Sequence, residues 1–197
     1  MSHTLPHRTE AARRLIEELM RTLLSQSPGA VRIRLAVVRD GLVPAGSFYA
    51  GMTGHTATES LRYEVIANVA AQGRRTGRTG RDRPLSDWSH FLPSLLAGQC
   101  AMRQFAGDAE TMPPFGCPTS RVANVLICPA ANPAGLLSGA VFIMWDRNDQ
   151  PPRGAALREL QVGGLRVACQ IAAVLHLCAQ TSGETQRGSA DVQLDPV

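Results

Sequence analysis

The sequence predicts an α+β domain in which helices at both ends of the chain flank an antiparallel β-sheet. Three observations support this fold class. Apolar residues recur at helical spacing near both ends of the chain. From residue 30 they alternate with other residues, as in a strand. Two apolar runs between residues 121 and 145 are separated by a short turn that contains Pro and Gly. Strands joined by short turns, with helices at the ends, favour an antiparallel sheet with helices packed on it.

The first predicted helix follows Thr9, a plausible N-cap, and begins at Glu10. Ser27-Pro28-Gly29 ends it, so we assign residues 1–28 to an N-terminal helical segment. Its apolar stripe comprises Leu15, Ile16, Leu19, Met20, Leu23 and Leu24.

The next segment predicts a strand with one buried face, because Val31, Ile33, Leu35 and Val37 alternate with Arg32, Arg34 and Ala36. Ser47–Gly51 predicts a second strand that forms a hairpin with the first.

The middle of the chain predicts a second helix and a polar loop. Thr56 to Glu59 has the capping-box pattern, and an apolar set at helical spacing follows it up to Gly73. That set comprises Leu61, Val65, Ile66, Val69 and Ala70. Gly73 to Arg83 has no apolar anchor and predicts a solvated loop. Residues 85–96 predict a short helix with Trp88, Phe91 and Leu95 on one side, and residues 99–120 show no clear pattern.

The last third of the chain has the clearest pattern. Arg121–Pro129 and Leu136–Trp145 predict two strands of an antiparallel hairpin, and a long helix begins near Gly154. The predicted buried side of this helix comprises Leu157, Leu160, Gly164, Leu165, Ala168, Ile171, Ala172, Leu175 and Cys178. Residues 29–181 therefore form the predicted domain. Residues 182–197 lack an apolar period and predict a disordered tail.

Three short motifs in this region resemble the second half of GAF domains: Leu126-Ile-Cys-Pro129, Ser138-Gly-Ala-Val141 and Gln170-Ile-Ala-Ala173. The first half of the chain fits that family in element order only. The resemblance implies a sheet of about six antiparallel strands, with a ligand cavity on one face beneath the irregular middle segments. It also implies homodimers that pair through their terminal helices. The alternative, that each apolar stripe packs only on its own sheet, stays open.

Composition limits the function classes. The chain has 197 residues, 44% of them hydrophobic and 18% charged, which suits one folded domain. We find no signal-peptide core and no apolar run near the length of a membrane span, so we expect a cytoplasmic protein without a membrane partner. The net charge is +4, and all 20 basic residues are arginines. Aromatic residues do not alternate with these arginines and no helix-turn-helix is evident, so nucleic acid is not an expected partner.

No common catalytic or metal-binding motif is present, so we expect neither an enzyme nor a cofactor. The five cysteines form no CxxC pair. Cys169 and Cys178 fall inside a helical apolar pattern, and we expect them to be small core residues.

Candidate ligand-binding residues are Tyr49, Trp88, His90, Phe91, Cys100, Arg103 and Cys117. The aromatic residues among them suit either a pocket wall or an ordinary core. Candidate anion-binding residues are Arg74, Arg75, Arg78 and Arg81, whose guanidinium groups could wrap a phosphate. The alternative is that these arginines belong to a solvated loop without a ligand.

Three functions remain open at this stage. The first is a regulatory module that binds a small molecule or a signalling protein and acts in trans as a homodimer. The second is a thiol-based reductase. Gly98-Gln-Cys100 resembles the Gly-x-Cys sequence of the free methionine sulfoxide reductases, which share the GAF fold. Cys117 would be the attacking thiolate there, and Cys100 would be its partner. The third is a dimerisation scaffold without a ligand.

Overall fold

A computed structural model describes residues 10–38, 43–44, 61–72, 79–80, 82–104, 122–133 and 135–188. Its helices are α1 (Glu10–Ser25), the 3-10 helix η1 (Leu85–Trp88), α2 (Leu92–Leu96) and α3 (Gly154–Gly188). Its strands are β1 (Arg32–Val38), β2 (Val43–Pro44), β3 (Arg62–Ala70), β4 (Asp82–Pro84), β5 (Ala101–Gln104), β6 (Val122–Ala131) and β7 (Leu136–Asp146).

The strands form one antiparallel sheet in the order β4-β3-β1-β7-β6-β5, and β2 also pairs with β7. This arrangement confirms the predicted α+β fold with an antiparallel sheet and flanking helices. The predicted hairpin of β6 and β7 is also confirmed, with partners from Val122↔Asp146 to Ala131↔Leu137. The sheet places β1 and β7 at its centre.

Two hydrophobic cores cover the two faces of the sheet. On the first face, α1 and α3 pack with side chains such as Ile16 and Ile171 against Ile33 and Ile143. On the second face, η1 and α2 pack against a set that includes Phe142 of β7. We call these the helical face and the aromatic face.

The predicted apolar side of residues 85–96 is confirmed, since Trp88, Phe91 and Leu95 are all buried on the aromatic face. Pro93 lies in the first turn of α2, where proline is tolerated, and this segment forms two short helices instead of one.

The prediction that β1 has only one buried face is wrong. Arg34 and Ala36, expected to face solvent, are 2% and 0% exposed. The reason is that β1 is a central strand with packed layers on both faces. The predicted hairpin of β1 with residues 47–51 is wrong as well, because β3 and β7 occupy the two edges of β1. Residues 45–60 themselves lie outside the described part of the chain.

The helix predicted between Thr56 and Gly73 is also wrong over residues 62–70, which form β3. Its apolar residues fit a helical period, but buried residues recur at every second position from Tyr63 to Val69. Pairing with β1 makes this segment a strand. No local sequence pattern reveals that pairing. A bulge at Ile66 then changes the face toward which the following residues point, because Leu35 pairs with Ala67 and Ala36 with Val65. The capping-box residues 56–59 lie outside the described residues.

The end of the predicted solvated loop is ordered as well. Asp82–Pro84 forms β4 on the edge of β3, and the Arg62 guanidinium lies 2.7 Å from the Asp82 carboxylate. This cross-strand ion pair joins two consecutive strands of the chain.

The two terminal helices pack against each other and on the sheet. Ile16, Met20 and Leu23 of the α1 stripe are buried as predicted, whereas Leu15 is 45% exposed. Helix α3 continues to Gly188, so the boundary predicted at residue 181 falls inside it, and residues 189–197 are not described.

By length and composition alone, Gly154–Gln180 could cross a membrane, so the expectation of no such run needs correction. One side of this segment packs in the core of the helical face.

Candidate functional site

Two of the predicted ligand-binding residues, Trp88 and Phe91, lie in an aromatic cluster inside the core. The Trp88 ring centroid is 4.9 Å from that of Tyr63 and 5.6 Å from that of Phe142. Trp88 and Phe91 are 0% and 3% exposed. Their surroundings are those of core residues, one of the two alternatives that the sequence left open, and their role toward a ligand stays a prediction.

His90 and Arg103 lie at the surface, where they contact each other. The Arg103 guanidinium donates a hydrogen bond to the backbone carbonyl of His90, which joins the turn after η1 to β5. Both residues are exposed. Tyr49, Cys117 and the four loop arginines Arg74, Arg75, Arg78 and Arg81 lie outside the described residues, so their predicted roles are untested.

Tyr63 anchors η1 to the sheet. Its hydroxyl donates a hydrogen bond to the Asp87 carboxylate, with 3.2 Å between the oxygens, and the Arg83 guanidinium lies 3.2 Å from the same carboxylate oxygen. Burial, followed by the negative charge of Asp87, raises the pKa of Tyr63 well above its ordinary value. Tyr63 therefore remains a neutral donor at physiological pH, and this network has a structural role.

A polar pair on the aromatic face was not predicted from the sequence. Arg34 and Asn68 are direct cross-strand partners, so their side chains share a face. Arg34 also lies opposite Phe142, which places the pair beside the aromatic cluster. Arg34 is only 2% exposed. The amide oxygen and nitrogen of Asn68 are buried, with no hydrogen-bond partner among the residues that the structure describes.

The sequence alone did not indicate this pair, for two separate reasons. Arg34 stood on the strand face that we expected to be in water. Asn68 belonged to a segment interpreted as a helix, where an amide side chain is unremarkable. Had residues 62–70 been recognised as a strand, an asparagine in its interior would have been a signal, because strands are poor in Asn.

A second site is a pair of thiols beneath α3. The sulfur atoms of Cys100 and Cys128 are 3.3 Å apart, and the Cys100 sulfur is 3.7 Å from the backbone carbonyl oxygen of Gln161. The hydrogen bond between the two thiols lowers the pKa of Cys100, and burial opposes this effect. The same bond, with burial, raises the pKa of Cys128 well above its usual range. The described thiol neighbour of Cys100 is thus Cys128, and Cys117, the partner considered from the sequence, lies outside the described residues.

The other two described cysteines lie away from this pair, on α3. Cys169 is exposed, so the expectation that it is a core residue is wrong, and Cys178 is half-buried. In the part of the chain that the structure describes, no group of three or more His, Cys, Asp or Glu side chains could hold a metal ion.

Two depressions adjoin the helical layer. An open groove of about 480 Å³ runs along β3 from Ile66 to Ala70, beside Arg13, Glu17 and Arg21 of α1. A smaller cavity of about 280 Å³ lies between the end of α1 and the start of α3, near Leu23 and Gly163. Neither contains the Cys100–Cys128 pair.

The fold is similar to that of several solved GAF domains, although no family model and no curated protein matches the sequence. The GAF domain of PixJ from Thermosynechococcus elongatus has 12% identity and a TM-score of 0.52, over 91% of this chain and 98% of that one. The GAF domain of a two-component sensor histidine kinase from Bacillus halodurans has 12% identity and a TM-score of 0.52, over 88% and 97%.

An enzyme has a similar fold as well. The type II free methionine-R-sulfoxide reductase from Thermoplasma acidophilum has 15% identity and a TM-score of 0.51, over 85% of this chain and 94% of that one. At these identities the comparisons show the fold and leave the function open. The chain therefore contains a GAF-like domain, as its C-terminal motifs indicate.

Proposed function

We propose that this protein is a regulatory module whose GAF-like domain binds a small acidic molecule on its aromatic face. The observation that carries the proposal is the buried Asn68 amide beside the buried Arg34 guanidinium. A buried amide without hydrogen bonds costs about 1–3 kcal/mol. Folded proteins contain few such groups, because an apolar residue of similar size is often more stable there, and a bound ligand can supply the missing hydrogen-bond partners.

The chemistry of the two side chains defines the ligand class. A guanidinium forms strong paired hydrogen bonds with a carboxylate or phosphate. The Asn68 amide offers both a donor and an acceptor, so it suits a ligand that also has an N–H or O–H group. The adjacent rings of Phe142 and Trp88 favour an apolar or aromatic portion next to the acidic group. Nucleotides, amino acids and aromatic acids belong to this class.

A thermal-shift screen of the full chain against these three groups of compounds tests the proposal. A ligand that binds only the folded state stabilises it by about 2.7 kcal/mol at 100 times its Kd. Arg34→Met, which keeps a long side chain without the charge, should remove the increase in melting temperature. Arg158→Met is the matched control, since Arg158 is an exposed residue of α3 that lines neither depression.

Two results would contradict this function. If no acidic compound raises the melting temperature of the wild-type protein, the scaffold alternative without a ligand gains support. If a compound does so and Arg34→Met responds equally, the ligand binds elsewhere. The groove beside Arg13 and Arg21 would then be the next candidate.

We also propose that the module is a homodimer that acts on a signalling partner in trans through its helical layer. The support is the position of three large apolar side chains that are exposed in the described residues. Leu15 belongs to α1, and Val162 and Leu177 belong to α3. Their exposures are 45%, 58% and 60%. Covering apolar surface is the main force for association of this kind. The cytoplasmic location stays a prediction.

A thiol-based reductase is the second candidate function. What favours it is a half-buried thiol, Cys100, whose pKa is lowered, because the thiolate is the reactive form. A reductase also needs a resolving thiol, for which Cys117 and Cys128 are the two choices. The disulfide mapping described below identifies which thiol pairs with Cys100.

A further inference from the structure

We propose that Cys100 and Cys128 form a reversible redox site, in which a hydroperoxide converts the two thiols into a cross-strand disulfide. This inference is independent of the proposed ligand site, since it rests on other residues and on the opposite face of the sheet. It also names a different thiol pair from the one suggested by the sequence.

The register of the sheet brings the two cysteines together. Ala101 pairs with Ile127, so one further step along β5 and β6 places Cys100 opposite Cys128. Their sulfur atoms are already 3.3 Å apart. A disulfide has an S–S length of about 2.05 Å, so the sulfurs need to approach by roughly 1.3 Å. Small side-chain rotations are enough for such a step, and the backbone pairing can stay in place.

The burial of the two thiols assigns them different roles. Cys128 is fully buried, and its sulfur faces Gly164 of α3. Cys100 is half-buried, so an oxidant from solvent reaches Cys100 first. The hydrogen bond from Cys128 also stabilises the Cys100 thiolate, which is the nucleophilic form. Cys100 is therefore the attacking thiol, and Cys128 is the resolving thiol.

The reaction has two steps. The Cys100 thiolate attacks the terminal oxygen of the hydroperoxide, the O–O bond breaks, and the remaining alkoxide leaves as an alcohol after taking a proton from water. Cys100 is then a sulfenic acid. The Cys128 sulfur attacks the Cys100 sulfur, the S–O bond breaks, and water leaves with the Cys128 proton. The two thiols have then lost two electrons to the peroxide, and a dithiol reductant reverses the change by exchange.

The disulfide would change the contact with α3. The Cys100 thiol is within hydrogen-bonding distance of the Gln161 carbonyl oxygen. The protonated Cys100 thiol can donate to that oxygen, whereas a disulfide sulfur has no hydrogen to donate, so the oxidised pair lacks this bond. The redox state of the pair thereby changes one contact between Cys100 and the long helix.

Disulfide mapping by mass spectrometry tests the proposal. The full-length protein is treated with hydrogen peroxide in native buffer, blocked with N-ethylmaleimide and digested with trypsin. The chain has no lysine, so cleavage after arginine leaves Cys100, Cys117 and Cys128 on separate peptides, residues 82–103, 104–121 and 122–147. We expect the peptides of Cys100 and Cys128 to become linked, with loss of two thiols per chain, and dithiothreitol to restore both thiols.

Variants make the test specific. Cys100→Ser should slow the loss of the Cys128 thiol at least tenfold, whereas Cys169→Ser, which removes an exposed cysteine of α3, should leave the linkage unchanged. Cys128→Ala should leave Cys100 as a sulfenic acid that dimedone traps. If Cys128→Ala does not fold, the Cys100→Ser result still decides. Linkage of Cys100 to Cys117, or oxidation of Cys100 with no linkage, overturns the proposal, and the first result favours the reductase.

Discussion

At the scale of single residues, the polar pair on the aromatic face has an unusual environment. Ser27 and Ser138 are also buried, but their hydroxyls donate to backbone carbonyls. Asn132 is buried, and its side-chain oxygen accepts a hydrogen bond from the backbone N–H of Leu136. The Asn68 amide has no such bond within the described residues. Unlike Ser27, Ser138 and Asn132, Asn68 therefore has a buried polar side chain whose hydrogen bonds the described fold does not supply.

We predict that Asn68→Leu stabilises the protein, because it replaces an unsatisfied buried amide with an apolar group of similar size. The free energy of unfolding should rise by about 1–2 kcal/mol, measured by urea denaturation. Asn132→Leu is the matched control. It breaks an existing hydrogen bond and should lower the free energy of unfolding by about 1–3 kcal/mol. Equal losses in the two variants would show that the Asn68 amide has hydrogen-bond partners in solution, and would contradict the proposed ligand site.

At the scale of secondary-structure elements, two adjacent glycines show how closely α3 approaches the sheet. A Cβ atom on Gly164 would lie 2.5 Å from the Cys128 sulfur. A Cβ atom on Gly163 would have no heavy atom within 4 Å among the described residues. Gly164 therefore allows α3 to rest directly on β6, whereas the contacts of α3 do not require a glycine at position 163.

Substituting each glycine with alanine tests this contact. Gly163→Ala should raise the free energy of unfolding by about 0.5–1 kcal/mol, because alanine is the better helix former. Gly164→Ala gains the same helix propensity but overpacks the interface, at a cost of about 1–3 kcal/mol, so we expect net destabilisation. Denaturant titration of both variants measures the difference. If Gly164→Ala were as stable as Gly163→Ala, the helix would sit farther from β6 than described.

At the scale of the whole molecule, the sheet separates two chemically distinct layers. The helical layer contains the thiol pair and the exposed apolar side chains of α1 and α3. The aromatic layer contains the polar pair and the Trp88 cluster. A ligand on one layer and a partner on the other would communicate through the central strands β1 and β7, which contribute side chains to both cores.

We predict that Leu177→Glu weakens dimerisation, because it places a charge on the apolar surface of α3. Sedimentation velocity should show at least a tenfold increase in the dimer dissociation constant. Ser89→Glu adds the same charge at an exposed position after η1 and should leave the dissociation constant unchanged. A wild-type protein that sediments as a monomer at high concentration would contradict the dimer itself.

The sequence by itself determined the fold class and the C-terminal half of the sheet, because these features depend on local patterns. The apolar strands β6 and β7 pair across a short turn, so their contacts lie close in sequence. The motif at Ser138-Gly139 has a physical reason, since any side chain on Gly139 would clash with the backbone oxygen of Ala36. The helical periods of α1 and α3 are local patterns as well, and they indicated both helices.

Only the tertiary structure decided the rest, because it depends on partners that are distant in sequence. Pairing with β1 makes residues 62–70 a strand, although their apolar spacing also fits a helix. The layers on both faces bury Arg34, which a single strand pattern places in water. The register of β5 and β6 brings Cys100 to Cys128 across 28 positions. Both candidate sites, Arg34 with Asn68 and Cys100 with Cys128, arise from such cross-strand contacts. For this reason the sequence indicated the fold more clearly than it indicated the residues of the candidate sites.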